Sequence, residues 1–185
     1  AFQDLLQNQE RSSFASWFRV RRFPLRAGDG STYEYYYERP ELPWLNLGPG
    51  PAREHVFAAV RALVELGVDG LRLDAMNDAP ADFWRALRAH ARALNPQLLL
   101  LGEIVSDNLA RFAEDGGVDA ATDFRHREAM LCFFAREAID APEFWRRTVF
   151  DEFRTGAFEQ CFRLLFIDNH DTWRFLSVAY FGDQL

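Results

Sequence analysis

The chain has 185 residues, 49% of them hydrophobic and 26% charged, a balance that fits one globular domain or part of a larger one. Its formal net charge of −7 argues against nucleic acid or an anionic membrane as the main partner, and no apolar run reaches the roughly 18 residues of a membrane-spanning helix. Cys132 and Cys161 stand far apart in apolar surroundings, which reads as free buried thiols and a reducing, cytoplasmic location rather than a disulfide framework or a metal site.

The opening stretch "AFQDLLQNQERSS" has neither an initiator Met nor a basic leader and reads as cut from a longer protein. Residues 1–50 show no sustained period and are rich in aromatics and turn formers. "RAGDGS" is a turn signal, and "SWFRVRRF" and "TYEYYYE" each predict a short strand, the tyrosines forming an aromatic strand face. This segment is expected to be an excursion loop with a small hairpin.

The texture changes at Gly48. "GPGPAREHVFAAVRALVELG" has Pro51 in a first helical turn, Gly67 as a stop, and an apolar stripe of Val56, Val60, Leu63 and Val64. "VDGLRLDA" predicts a strand. "APADFWRALRAHARALNP" predicts a second helix with Phe83, Leu87, Ala91 and Leu94 on one side and Pro96 after its end. "QLLLLGEIV" predicts a buried strand, "DNLARFAEDGG" a short helix, and "VDAATDF" a weaker strand. "HREAMLCFFAREAI" and "PEFWRRTVFDEFRTG" predict a broken helical region. "CFRLLFIDNHD" is another strand, and "TWRFLSVAYFG" opens a helix. Alternating helices and near-continuously apolar strands imply a parallel sheet covered by helices. An open doubly wound sheet and a (β/α)8 barrel both fit. No GxGxxG or P-loop follows a strand, which weighs against nucleotide binding.

Ligand sites in such folds lie at the carboxyl ends of the strands, and acids stand at these ends: Asp74, Glu103, Asp123, and the run Asp168, Asn169, His170, Asp171. A period of two puts Gly70, Arg72 and Asp74 on one face and Leu71 and Leu73 on the other. Arg72 is placed to hold Asp74 ionised, whereas Glu103, in phase with Leu99 and Leu101, rises from an apolar wall that favours its protonated form. A charged carboxylate and a neutral acid about 5 Å apart are what retaining glycoside hydrolysis requires. The competing reading is that acids at strand ends are helix caps or solvated loop residues, and Asp78 and Asp107 are read as caps. His55 and His90 lie within helices as surface residues, and His126 follows the weak strand, within range of the cleft.

"DGLRLDA", "GEI" and "FIDNHD" resemble, in order, three signature regions of glycoside hydrolase family 13, the α-amylase family. The resemblance covers most of the chain. "FQDLLQNQERSSFASWF", "LPWLN" and "DFWRALRAHARALNPQLLLLGEI" are most similar to the branch of cyclomaltodextrinases, neopullulanases and maltogenic amylases. It implies an α/β fold of the parallel (β/α)8 TIM-barrel type, incomplete here at about strands four to seven. Residues 1–50 would form the excursion segment and residues 51–185 the partial barrel. It further implies Asp74 as nucleophile, Glu103 as general acid/base and Asp171 as the third carboxylate. Arg72 would orient Asp74, and His170 would hydrogen-bond the sugar. Trp173, after the third acid, has two readings, a sugar-stacking residue or a core or rim aromatic. Asn169 likewise reads as a turn residue or as a structural partner of the site.

The expected activity is hydrolysis of α-1,4-glucosidic bonds in maltooligosaccharides, cyclodextrins or starch-like α-glucans by double displacement. The same residues also fit transglycosylation. No cofactor is required. Some members of the family bind calcium near the excursion loop, and no metal-ligand spacing marks such a site here. "GLRLDAMND" and "GEIVSD" depart from the branch after the nucleophile and after the acid, at positions that shape the leaving-group subsites. A full barrel takes about 250 residues, so the first three strands and the eighth are expected to lie outside the chain. Exposed sheet edges would then invite self-association. The alternative is a non-catalytic barrel remnant with weak sugar binding or a packing role.

Overall fold

The computed structural model describes residues 1–105, 117–150 and 161–181. Most of the expected helix in "DNLARFAEDGG", with Asp107, and the end of "PEFWRRTVFDEFRTG" lie outside the described residues. The chain divides into two compact units, Ala1–Gly67 and Val68–Leu185.

The first unit begins with helix α1, Phe2–Asn8, which the sequence pattern did not predict. Seven residues are too few to hold a helix by propensity. What holds this one is packing: Leu5 is fully buried with Phe18, Leu25 and Tyr33. The buried Tyr33 hydroxyl accepts from the Gly28 N–H and donates to the Pro40 carbonyl, both at 2.9 Å, so its burial leaves no polar orphan. A hairpin is present, but only one of its strands was expected: β1, Tyr35–Tyr36, lies within "TYEYYYE", whereas its antiparallel partner β2, Arg39–Pro43, was not predicted. "SWFRVRRF" is not a strand. It makes isolated bridges, Phe18 to Leu45 and Val20 to Tyr33, because successive positions pair with two different segments and no continuous ladder forms. Helix α2, Pro51–Glu65, follows. Within its stripe Val60 is buried but Leu63 is 42% exposed. Gly67 stops it as expected, with a φ of +87° that an L side chain rarely adopts and its N–H on the Val64 carbonyl at 2.9 Å.

The second unit is built on a four-stranded parallel sheet in the order β3-β4-β5-β6, comprising Gly70–Leu73, Leu99–Gly102, Ala120–Thr122 and Phe162–Leu164. The pairings Arg72 to Leu101, Leu101 to Ala120 and Ala120 to Phe162 put those four residues on one face. Leu73, Gly102 and Ala121 are then on the other, where Leu73, Leu100 and Ala121 are buried. Helix α3, Ala81–Leu94, buries Phe83, Trp84, Leu87 and Ala91. Burying large apolar side chains of this kind contributes about 1.5–3 kcal/mol each. Asp119 ties this helix to the sheet, accepting from Arg92 Nη2 at 2.6 Å and from the Leu100 N–H at 2.8 Å.

Asp78 is not a cap. It lies in a 3-10 turn, Met76–Asp78, and Pro80 takes the N-cap position of α3 without a side-chain hydrogen bond. The helical region after β5 is broken as expected. Helix α4, Phe124–Met130, runs into a π turn, Leu131–Ala135, and α5, Ala141–Trp145, runs into another, Arg146–Phe150. β6 is shorter than its apolar run, and helix α6, Phe175–Phe181, follows it. Cys132 and Cys161 are both free. Burial pushes the Cys161 thiol up to about 11, with Asp119 adding to the rise, which keeps it unreactive.

Candidate active site

Parallel pairing brings the carboxyl ends of all four strands to one edge of the sheet. Asp74, Glu103 and Asp123 each stand one residue beyond a strand, and Asp171 stands in the turn after β6. Arg72 and Asp74 are in phase on β3, as period two predicts. The guanidinium is ion-paired through Nη1 to Asp74 Oδ1, and through Nη2 to Glu103 Oε1 at 2.8 Å. The expected apolar wall around Glu103 is therefore not what its carboxylate meets. The register explains this: Arg72 pairs with Leu101, so the next in-phase positions, Asp74 and Glu103, come to opposite sides of one guanidinium.

The two acids differ in access. The Asp74 side chain is 77% exposed and that of Glu103 is 13% exposed. Glu103 is also gripped by backbone, its Oε2 accepting from the Ala75 N–H at 3.2 Å. Ala75 sits in the left-handed region at φ 47°, a conformation costing a non-glycine residue about 1–2 kcal/mol. Its neighbours compensate. Met76 is fully buried, its N–H donates to the Glu103 carbonyl at 3.1 Å, and its own carbonyl accepts from Trp84 Nε1 at 3.0 Å. Gly102 makes room for this turn, since a Cβ there would collide with Met76 Sδ and crowd Ile104 and Val118. Strained backbone of this kind recurs at functional sites.

The other expected residues form a second group. His170 Nε2 lies 2.9 Å from Asp171 Oδ2, and both side chains are exposed. Together with Trp173, Arg127, Arg136 and Val178 they line a cavity of about 640 Å³. Trp173 is 60% exposed, which removes the core reading and leaves a sugar-stacking residue or a rim aromatic. Among the described residues no hydrogen bond or ion pair joins this group to Arg72, Asp74 and Glu103. Asn169 stands in the turn and also touches this group, its Oδ1 accepting from the Asp171 N–H at 3.0 Å, so both of its readings stand. Asp168 caps α6 through the Phe175 N–H at 3.0 Å and pairs with Arg174 at 2.6 Å, and both hold its carboxyl below the ordinary range. No cluster of metal ligands occurs among the described residues.

Asp123 is a structural acid. It caps α4 through the His126 N–H at 2.8 Å, and it pairs with Arg163 at 2.9 Å, the two side chains 1% and 7% exposed. Sequence alone did not single out Arg163, although a lone arginine inside "CFRLLF" carries the same signal as Arg72 in "GLRLDA". Among the described residues, His126 Nδ1 is buried without a hydrogen-bond partner. Burial pushes the imidazole below its ordinary value, Asp123 opposes this, and Arg163 reinforces it. The unfolded chain therefore takes up a proton near pH ~6.5 that the folded unit refuses until lower pH, so stability falls as pH drops through that window. The thermal midpoint of the intact protein should decline between about pH 7.5 and 5.5, and His126→Gln should flatten that decline. Identical pH slopes in the two proteins would refute this role of His126.

The family model described as alpha amylase, catalytic domain, matches residues 7–184. Among curated proteins, the chain is 34% identical over 181 residues to a cyclomaltodextrinase of Geobacillus thermopakistaniensis, covering 96% of this chain and 30% of that protein. It is 33% identical over 183 residues to neopullulanase 2 of Thermoactinomyces vulgaris, covering 96% of this chain and 30% of that protein. A solved cyclomaltodextrinase structure superposes with a TM-score of 0.85 at 32% identity, covering 96% of this chain and 31% of the other. The chain thus spans about a third of the length of the relatives it matches.

Proposed function

The chain belongs to the family of α-amylase catalytic domains, and from that premise we propose that it carries the nucleophile and the acid/base of a retaining glycosidase acting on α-1,4-glucosidic bonds of α-glucans. The observation that carries this reading is the single Arg72 guanidinium holding carboxylates from the ends of two neighbouring strands. Asp74, exposed at the rim, is the nucleophile. Glu103, recessed and held by the Ala75 N–H, is the proton donor to the glycosidic oxygen. In the first step Asp74 attacks the anomeric carbon while Glu103 protonates the departing oxygen. In the second, Glu103 takes a proton from water, which displaces Asp74 and restores the original configuration. Asp171 and His170 grip sugar hydroxyls, with Trp173 as an aromatic rim. An acceptor sugar in place of water gives transglycosylation from the same intermediate.

In this reading residues 1–50 are the excursion segment, residues 51–185 the barrel segment, and β3 to β6 the fourth to seventh barrel strands. Maltooligosaccharides and cyclodextrins are the proposed substrates, in keeping with the names of the relatives. The inner sheet face carries Leu99, Phe162 and Leu164, which are 48%, 80% and 47% exposed. The object to assay is therefore the intact protein that contains this chain. Reducing sugar should appear from maltooligosaccharide or cyclodextrin, and the first product formed should be the α-anomer by proton NMR. Absence of turnover would favour the non-catalytic reading, and a β-anomer would exclude double displacement.

A further inference from the structure

We infer that Asn77 is a positioning residue for this chemistry, keeping the loop that carries Asp74 in register with the loop that carries Glu103. The inference rests on the roles proposed above for those two acids. The β3–β4 ladder ends at Leu73 and Gly102. Two backbone bonds extend it, from the Glu103 N–H to the Leu73 carbonyl at 2.8 Å and from the Met76 N–H to the Glu103 carbonyl at 3.1 Å. Between these two bonds the first chain passes through the left-handed turn at Ala75, and no further backbone bond joins the two loops among the described residues. Asn77 continues the pairing with its side chain. Its Nδ2 donates to the Val105 carbonyl at 3.2 Å, and its Oδ1 accepts from the Val105 N–H at 2.8 Å. One carboxamide thus meets the donor and the acceptor of a single residue, as a facing strand would. The reversed amide would set oxygen against oxygen, so the orientation follows from the contacts.

Packing does not make this link. Asn77 is exposed and Val105 is 62% exposed. Met76 and Ile104, both fully buried, fasten each loop to the core, and the Met76 N–H on the Glu103 carbonyl joins the two loops. Asn77 does so one residue past Met76 and one past Ile104. The proton Glu103 delivers must arrive in line with the attack of Asp74, and a shift of about 1 Å at such a site costs up to about 100-fold in rate.

The test uses the intact protein with Asn77→Leu, which keeps the shape but loses both bonds, and Asn77→Asp, which keeps the acceptor alone. Each is assayed on a maltooligosaccharide, whose leaving hydroxyl needs the Glu103 proton, and on α-maltosyl fluoride, whose fluoride departs with far less acid assistance. For Asn77→Leu, kcat on the oligosaccharide should fall about 10- to 100-fold, with KM and the fluoride rate within about threefold of the unaltered protein. Asn77→Asp should shift the ratio of the two rates in the same direction by less, and it carries the test if the leucine variant does not fold. An equal fall on both substrates, which lost folded protein would give, overturns the inference, as does an unchanged oligosaccharide rate, or a rise in KM at unchanged kcat, which loss of a leaving-group-side sugar contact would give. An unaltered protein that turns over neither substrate overturns the roles of Asp74 and Glu103 instead.

Discussion

Asp74→Asn should lower hydrolysis of an α-1,4-glucan by the intact protein at least about 1,000-fold, and Glu103→Gln should lower it by about 100- to 10,000-fold. The amide at residue 74 keeps the shape of the side chain but has no charge with which to attack the anomeric carbon. The amide at residue 103 has no proton to give a departing sugar and cannot activate water afterwards. The double variant should be little slower than the worse single one, because residues that act in one step lose their effect together. Folding should be almost unaffected by Asp74→Asn, since its side chain is 77% exposed and exposed ion pairs contribute about 0–1 kcal/mol. Initial rates of reducing-sugar release, set beside far-ultraviolet circular dichroism, separate the two effects. Unchanged rates in both variants would remove the catalytic reading altogether.

Asp123→Ala should cost about 3–5 kcal/mol of stability, the range for removing one member of a buried ion pair. The structure gives two reasons. The Arg163 side chain, 7% exposed, would keep its charge and lose this carboxylate, and α4 would lose the cap on the His126 N–H. Asp123→Asn retains a capping oxygen and should fall between the alanine variant and the natural protein. Replacing both partners by apolar residues, Asp123→Leu with Arg163→Met, should cost clearly less than the sum of the single changes, because no buried charge is then stranded. Calorimetry of the natural protein, the four single variants Asp123→Ala, Asp123→Asn, Asp123→Leu and Arg163→Met, and the double variant reads this directly. A loss below about 1 kcal/mol for Asp123→Ala would mean that the pair does little to hold the unit together.

The parts of the fold that were legible before the structure share a strong local pattern. The stripe Phe83, Leu87 and Ala91 places the buried side of α3. The period of two in "GLRLDA" separates the buried Leu73 from Arg72 and Asp74 at the rim. Features that depend on distant partners were not legible. Helix α1 exists because Leu5 meets Phe18, Leu25 and Tyr33, and nothing within its seven residues announces that. Asp123 and Asp74 look alike in sequence, each ending a strand. One is a buried cap and the other an exposed acid, and the difference lies in whether an arginine shares the rim face or the helix-covered face. Asn77 escaped notice because its partner, Val105, is 28 residues away. Glu103 was expected against an apolar wall, because only pairing across strands reveals that Arg72 reaches it.

That shared guanidinium has an evolutionary consequence. If one side chain seats both acids, a single nucleotide change in its codon unseats both, while the gene goes on encoding Asp74 and Glu103 unaltered. A duplicated copy released from selection would thus have a short route to silence through residue 72, and its descendants would still spell out both acids. Within this fold, a change at residue 72 alone would separate a relic from a working copy that spells the same two acids.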